Sequence, residues 1–270
     1  MKRYTIVNDQ LLPAEEASLL ITDLAIQRGY GIFDFFKTVD GAFRFLDDHL
    51  DRFYRSAAAM HLPITYTREE LKALLSTLQE KNQLPDSGIR ITLTGGYSPD
   101  GYSITAPNMV ITQNVLPKVA DNEKGIKLMT YPHLRQLPEV KTLDYLMAIY
   151  LQPTLQKSGA DDILYHDNGF MKECPRSNFF IVTNDDEVVT SNKNILAGVV
   201  RKQVLSLKVD GVKLVEREIS FDDLKHCKEA FVTSSTKNIL AVTAIDGQQI
   251  GNGMAGEITK SLAQAFQELN

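Results

Sequence analysis

Residues 140–146, Val-Lys-Thr-Leu-Asp-Tyr-Leu, are the stretch that says most about the fold of this chain. They place Lys141 just before a predicted helix, with Tyr145 four residues further on. A second stretch, GFMKECPRSNFF at 169–180, places Glu173 on a predicted loop between two strand-like runs. Two turns suited to binding an anion follow, LAGVVR at 196–201 and TSST at 233–236.

A lysine, a carboxylate and anion-binding turns are together what a protein needs to hold pyridoxal phosphate. The lysine forms a Schiff base with that cofactor, and the carboxylate keeps the pyridine nitrogen protonated so that the ring accepts electrons. A helix N-terminus disfavours a cation, so Lys141 at such a position would be easier to deprotonate. Each motif alone is more often a solvated lysine, a surface glutamate or an ordinary turn. Their joint order along the chain favours the cofactor.

Composition excludes several other classes of protein. The 270 residues are 43% apolar and 23% charged, which is typical of a soluble globular enzyme. The net charge of -5 is spread along the chain, so we expect neither nucleic-acid binding nor a polybasic membrane anchor. Cys174 and Cys227 are isolated and lack metal-ligand spacing. Free thiols, no membrane-spanning run and no signal-peptide core predict a cytoplasmic protein without a metal.

Both halves of the chain mix strands and helices. A strand is predicted at 31–39, and a helix at 68–82 capped by Thr67 with Glu70 three residues later. A longer helix is predicted at 142–158, kinked or ended near Pro153. A helix at 47–60 has one apolar face, made of Leu50, Phe53, Ala57 and Met60. Without regular strand–helix alternation, the pattern predicts two α+β domains, 1–116 and 125–270, joined by a polar linker at 117–124.

Taken together, these motifs resemble the fold-type IV, class IV family of pyridoxal-phosphate enzymes. The family includes branched-chain aminotransferases, D-amino-acid aminotransferases and aminodeoxychorismate lyases. The resemblance covers nearly the whole chain and also includes RGYGIFD at 28–34, the run at 45–52 that ends in Arg52, and IDG at 245–247. It implies a small N-terminal and a larger C-terminal α+β domain with the cofactor in the cleft. It also implies a homodimer, in which the partner's small domain completes each substrate pocket.

The resemblance assigns roles to individual residues. Lys141 would bind the cofactor covalently and act as the general base, and Glu173 would bond the pyridine nitrogen. Tyr145 would approach the phenolic oxygen of the ring, although it follows the lysine by four residues where branched-chain enzymes have five. Val200 stands where the family usually has threonine, so the amide remains but a hydroxyl is lost. The phosphate would be held by Arg52, the amides of Val199 and Val200, and the hydroxyls of Ser235 and Thr236.

The substrate pocket is less well defined. Typical D-amino-acid enzymes of this family carry an arginine and a histidine just past the segment that matches 94–99, where this chain has Asp100 and Tyr102. Arg28 and Arg176 are the candidates to replace them as a clamp for the substrate carboxylate. The candidate walls of the side-chain pocket are Tyr30, Phe33, Tyr97 and Tyr102.

The expected activity is therefore transfer of an amino group between an amino acid and a 2-oxo acid such as 2-oxoglutarate. The Arg28 and Arg176 clamp favours a D-amino acid, with a branched-chain L-amino acid as the main competitor. Aminodeoxychorismate lyase, which eliminates pyruvate, is an alternative because KTL at 141–143 and EC at 173–174 resemble that branch. A non-catalytic cofactor- or metabolite-binding protein is another, which the intact Lys141 and Glu173 argue against.

Overall fold

The computed structural model describes residues 3–116 and 124–269. These residues form two compact units, one of residues 3–116 and 140–144 and the other of residues 124–139 and 145–269. The predicted linker at 117–124 lies almost entirely outside the described residues. Among the helices in the described ranges, none is long and apolar enough to cross a membrane.

The first unit is one antiparallel sheet with three helices. In chain order its elements are β1 (Tyr4–Val7), β2 (Gln10–Pro13), α1 (Leu24–Arg28), β3 (Gly31–Val39), β4 (Ala42–Phe43), α2 (Leu46–Ala59), α3 (Arg68–Asn82), β5 (Ser87–Thr94) and β6 (Met109–Val115). The strands lie in the order β2-β1-β6-β5-β3-β4, so β5 has β3 and β6 as its two neighbours.

Helices α2 and α3 cover one face of this sheet, as the apolar patterning predicts. The face of α2 formed by Leu50, Phe53, Ala57 and Met60 is buried in the core, which confirms that part of the prediction. Helix α3 begins with the predicted capping box, in which Thr67 and Glu70 bond each other's backbone amide. Burying a leucine or phenylalanine side chain stabilises the fold by about 1.5–3 kcal/mol. The packing therefore holds β3 firmly against α2.

The second unit contains a mixed sheet and five helices. Its elements are β7 (Ile126–Pro132), α4 (Leu146–Tyr150), α5 (Gln152–Ser158), β8 (Asp162–Asp167), β9 (Phe170–Met171), β10 (Glu173–Cys174), β11 (Ser177–Val182), β12 (Glu187–Thr190), α6 (Val199–Ser206), β13 (Lys213–Glu216), β14 (Ile219–Ser220), α7 (Phe221–His226), β15 (Glu229–Ser234), β16 (Asn238–Ile245), β17 (Gln248–Gln249) and α8 (Glu257–Glu268).

The sheet of this unit has its most buried strand, β11, between β12 and β15. The main path runs β13-β12-β11-β15-β16-β7-β8-β9-β14, with β10 paired to β11 and β17 to β16. Neighbours are parallel at β12–β13, β16–β7 and β7–β8. All six residues of β11 are buried, so a polar residue on this strand needs a partner inside the protein.

Two predicted elements near the candidate site were wrong. The helix predicted at 142–158 is two short helices, α4 and α5, that meet at Leu151, and α4 begins only at Leu146. The interruption predicted near Pro153 lies two residues earlier, and Pro153 itself is in the first turn of α5, where its missing N–H costs nothing. Glu173 is on the short strand β10 rather than a loop, because Glu173 pairs with Asn178 across the β10–β11 hairpin.

Candidate active site

The backbone around Lys141 lies along strand β3 and is not a helix start. The Lys141 carbonyl accepts the Phe33 amide at 3.0 Å, and the Leu143 amide donates to the Gly31 carbonyl at 2.9 Å. Glycine suits position 31, because a Cβ there would lie 2.7 Å from the backbone carbonyl oxygen of Leu93. The helix-terminus argument for Lys141 was therefore wrong, and tertiary pairing with β3 is what positions the residue.

The Lys141 side chain lies over an aromatic ring that also carries a second cation. Lys141 Nζ is 4.6 Å from the centroid of the Phe33 ring, and the Arg90 guanidinium carbon is 3.8 Å from the same centroid. Arg90 is on β5, where the register places it on the same face as Phe33. Arg90 was not among the predicted site residues, although its place between Ile89 and Ile91 in an alternating strand is a usable signal.

Arg52, proposed to bind phosphate, is buried on α2 and is held by Asp34, which His49 also contacts. Its Nε and Nη2 donate to the two carboxylate oxygens of Asp34, each at 2.8 Å. His49 Nδ1 lies 2.7 Å from Asp34 Oδ1. Burial alone would raise the pKa of Asp34, but the charge of Arg52 and the hydrogen bonds from Arg52 and His49 hold that pKa well below its ordinary value. Asp34 is therefore an anion that orients Arg52.

In the second unit, Glu173 is buried and accepts hydrogen bonds at both carboxylate oxygens. Arg135 Nε and Nη2 donate to Oε1 at 2.9 and 2.8 Å. The amide nitrogen of Leu196 and the side-chain Nδ2 of Asn178 donate to Oε2 at 3.1 and 3.2 Å. These four hydrogen bonds fix the carboxylate in position. Sequence analysis found Glu173 but neither Arg135 nor Asn178, since both contacts depend on the tertiary fold.

Asn178 also connects Glu173 to the start of α6. Its Nδ2 donates to the Leu196 carbonyl at 2.8 Å, and a Cβ on Gly198 would lie 2.0 Å from its Oδ1. Gly198 is the N-cap residue, followed by Val199 and Val200 as the first residues of the helix. Amides at this position have no partner within the helix, so they suit an oxyanion. Only glycine fits at 198 while Asn178 keeps this position.

The hydroxyl-rich turn lies between β15 and β16. Ser234 Oγ is 3.2 Å from Thr236 Oγ1 and accepts the Lys237 amide at 3.1 Å, so the turn is held by its own side chains. Ser235 is half-buried within the turn. Thr233 pairs directly with Asn178 across β11 and β15. Its buried hydroxyl has no hydrogen-bond partner in the part of the chain that the structure describes, which suits a site for a polar ligand here.

The other candidate residues occupy more exposed positions. Arg28 ends α1 and donates to the Gly101 carbonyl at 3.1 Å, and Arg176 is exposed in the β10–β11 turn. The Tyr30 hydroxyl donates to the Met60 carbonyl at 2.7 Å. Tyr97 is half-exposed in a bridge with Asp23, and Tyr145 is the half-buried N-cap of α4. Of the predicted pocket walls, Phe33 lies against Lys141, with Lys141 Nζ 4.6 Å from the centroid of its ring.

Comparison with known proteins identifies the family of the chain. Residues 31–245 match the family model of class IV aminotransferases. A D-alanine aminotransferase of Bacillus licheniformis is 28% identical over 97% of this chain and 95% of its own length. A putative branched-chain-amino-acid aminotransferase of Methanocaldococcus jannaschii is 30% identical over 100% of this chain and 96% of its own.

Solved structures give the same fold. The branched-chain aminotransferase of Escherichia coli superposes with a TM-score of 0.91 at 22% identity, covering 100% of this chain and 95% of that one. A hypothetical aminotransferase from Mycobacterium tuberculosis, solved in its PLP-bound form, has a TM-score of 0.86 at 20% identity over 98% of this chain and 97% of its own. This likeness confirms the predicted two-domain α+β fold of fold-type IV. The chain belongs to the class IV aminotransferase family.

Proposed function

We propose that this enzyme transfers the amino group of a D-amino acid to a 2-oxo acid such as 2-oxoglutarate. Class IV aminotransferases are pyridoxal-phosphate enzymes that act on amino acids and 2-oxo acids, so the reaction class follows from the family. The observation that carries the choice of a D-substrate is similarity to D-alanine aminotransferases over almost the whole chain. A branched-chain amino acid is the second candidate, favoured by the relative that is 30% identical.

The residues present fit pyridoxal phosphate. When bound, the cofactor withdraws electrons from the substrate Cα and carries the amino group between the two substrates. Lys141 Nζ would anchor the cofactor, take the proton from the substrate Cα and deliver it to the cofactor carbon that carries the amino group. Glu173 would hold a proton on the pyridine nitrogen. The groups proposed to hold the phosphate are Arg52, the amides of Val199 and Val200, and the hydroxyls of Ser235 and Thr236.

The substrate carboxylate needs a cationic partner. Arg90 joins Arg28 and Arg176 as a candidate, and it has the advantage of lying over the same Phe33 ring as Lys141 Nζ. A guanidinium can hold a carboxylate with two parallel hydrogen bonds, which fixes the orientation of the Cα–H bond. Phe33 would then bound the pocket on the side of Lys141, with Tyr30 and Tyr97 as further proposed walls.

A half-reaction on the purified holoenzyme tests the substrate. The enzyme is mixed separately with D-alanine, D-glutamate, L-leucine and L-glutamate, and the visible absorbance of the lysine-bound cofactor is followed. We expect rapid loss of that absorbance with the D-amino acids only. Conversion with L-leucine instead would move the assignment to branched-chain amino acids. An unchanged spectrum with all four would contradict both assignments and make the lyase reaction the next to be tested.

We also propose that the enzyme is a homodimer, because α4 exposes an apolar surface. Leu146, Ile149 and Tyr150 are 76%, 61% and 71% exposed, and α4 has no buried residue. Contiguous exposed apolar side chains are typical of a protein–protein interface. A second copy of the chain is the proposed partner, since closed twofold dimers are the commonest soluble oligomers.

Ile149→Asp is therefore expected to weaken the dimer, because a charge would be buried at the interface. The mass in solution, measured by light scattering during gel filtration, should fall from two chains to one at low micromolar concentration. Met254→Asp is the matched control, since Met254 is 59% exposed outside α4 and should leave the mass unchanged. A dimer of undiminished strength in the Ile149 variant would place the interface elsewhere.

We propose a cytoplasmic location as well. Cys174 and Cys227 are both buried free thiols, and burial raises the pKa of each of them. A reducing compartment keeps such thiols unpaired.

A further inference from the structure

A cluster of three polar side chains is buried between β3 and α2. Asp34, His49 and Arg52 are 1%, 2% and 5% exposed, so all three are removed from solvent. Apolar residues surround the cluster, and the His49 ring lies 5.5 Å from that of Phe36. Charged side chains are almost never so fully buried unless they are paired. The fold therefore maintains this cluster against a considerable desolvation penalty.

The hydrogen bonds determine the proton positions. An ionised carboxylate only accepts hydrogen bonds, so the 2.7 Å contact requires that His49 Nδ1 carries a proton and donates it to Asp34 Oδ1. Arg52 donates to both oxygens of Asp34 through Nε and Nη2. The 3.4 Å approach of Arg52 Nη2 to His49 Nδ1 then joins two donors and is not itself a hydrogen bond. Asp34 is the acceptor that holds both neighbours.

This arrangement fixes the plane of the Arg52 guanidinium. One edge, made of Nε and Nη2, is occupied by Asp34, so the Nη1 hydrogens and the second Nη2 hydrogen are the donors that remain for a ligand. Rotation of the group out of this plane would break at least one of the two hydrogen bonds to Asp34. A guanidinium held in this way loses little further freedom when it binds an oxyanion.

The cluster is also next to the backbone of Lys141. His49, Arg52 and Ser56 follow one another at helical spacing on one face of α2, and all are buried. The Lys141 amide lies 3.4 Å from Ser56 Oγ, one helical turn from Arg52. The charge of Lys141 also reaches His49: burial lowers the pKa of His49 most, Asp34 opposes this, and the charges of Arg52 and Lys141 lower it further.

Stability does not explain the cluster. A buried ion pair is often no better for folding than well-packed apolar residues of the same volume, because its desolvation offsets the attraction. β3 and α2 also pack through apolar residues such as Ile32, Phe36 and Leu50, so the cluster is not the contact on which their packing depends. If Asp34 and His49 serve to orient Arg52, the presence of all three groups is explained.

We propose that Asp34 is a positioning residue, fixed by His49, that orients the Arg52 guanidinium to bind the phosphate ester of the cofactor. This rests on the proposed function, in which Arg52 is a phosphate ligand. Neither Asp34 nor His49 would touch the phosphate. Their effect reaches the cofactor only through Arg52, and so it should appear for ligands with a phosphate and not for ligands without one.

The test compares two ligands of the apoenzyme, pyridoxal phosphate and pyridoxal. Both can bond to Lys141, but pyridoxal lacks the phosphate. The dissociation constant of pyridoxal divided by that of pyridoxal phosphate therefore measures recognition of the phosphate alone. Asp34→Asn should reduce that ratio by about 10- to 100-fold, the range typical for loss of a residue that orients a ligand group. Asp34→Glu, which keeps the charge, should restore most of the ratio.

Two further variants separate this inference from the function on which it rests. Arg52→Gln should reduce the ratio at least as much as Asp34→Asn. Asp23→Asn is the matched control, because Asp23 is equally buried in the first unit but bonds Thr94 and Asn108 instead of a cation. It should leave the ratio unchanged. If Arg52→Gln also leaves the ratio unchanged, the phosphate assignment itself fails.

If Arg52→Gln lowers the ratio but folded Asp34→Asn does not, the orienting role of Asp34 is overturned while the proposed function stands. Folding of each apoenzyme is checked by its thermal midpoint. Should Asp34→Asn not fold, His49→Leu decides the question. It removes the side-chain donor that helps to fix Asp34, leaves the Phe35 amide that also donates to Asp34 Oδ1 at 2.7 Å, and adds no unpaired charge. That variant is expected to reduce the ratio several-fold, and a wild-type ratio would overturn the proposal.

Discussion

Replacement of Lys141 by alanine is expected to abolish multiple turnover and the visible absorbance of the lysine-bound cofactor. The residue would supply both the covalent anchor and the base that moves the Cα proton. Loss of a positioned base alone typically slows a reaction by about 10²- to 10⁴-fold. The fold should survive, because the contacts that place residue 141 are made by its backbone, from the carbonyl to the Phe33 amide and from the amide to Ser56.

Kinetics and absorption spectra of the variant and of Lys72→Ala provide the comparison. Lys72 is a partly exposed lysine of α3 paired with Asp47, so its loss should leave turnover and spectrum unchanged. Addition of a small primary amine, such as methylamine, should partly restore proton transfer in the Lys141 variant, because it replaces the missing base. A Lys141→Ala enzyme that keeps its visible band and its turnover would show that another residue performs this role.

Local signals in the sequence were sufficient for the two longer helices of the first unit, α2 and α3. The apolar face of α2 and the capping box of α3 were both predicted, because residues three and four apart on a helix determine them. A second periodicity was present but not used. His49, Arg52 and Ser56 form a polar stripe beside the apolar face of α2, and that stripe contains the buried cluster with Asp34.

Positions that depend on distant residues could not be predicted in the same way. Lys141 pairs with Phe33, more than a hundred residues earlier, and this pairing replaces the expected helix start. Arg135 and Glu173 are 38 residues apart and meet only through the tertiary fold. The family resemblance identified Lys141 and Glu173 but not the residues that hold them. Periodicity gives faces and caps, whereas partners across the fold require the three-dimensional structure.

Glu173→Gln is expected to lower kcat by about 10²- to 10³-fold, the scale of a lost charged partner in a catalytic site. A glutamine has the same size but no charge, so the pyridine nitrogen would no longer face an anion. Because Glu173 is proposed to contact the cofactor and not the substrate, the loss should appear in kcat with little change in KM. Steady-state kinetics at saturating pyridoxal phosphate measure this difference.

The hydrogen bonds around Glu173 also predict a cost in stability. Both carboxylate oxygens accept hydrogen bonds, Oε1 from Arg135 and Oε2 from Asn178 and the Leu196 amide. In a glutamine the NH₂ group replaces one of these oxygens, so it would face hydrogen-bond donors in place of an acceptor. An unsatisfied buried group of this kind costs about 1–3 kcal/mol, which should lower the thermal midpoint.

Glu173→Asp keeps the charge and should retain more activity than Glu173→Gln, whatever its stability. Glu187→Gln, which alters a surface ion pair with Lys213, is the control expected to change neither quantity appreciably. A Glu173→Gln enzyme with wild-type kcat would mean that the charge of Glu173 serves Arg135 and the fold, and that the pyridine nitrogen is protonated without it.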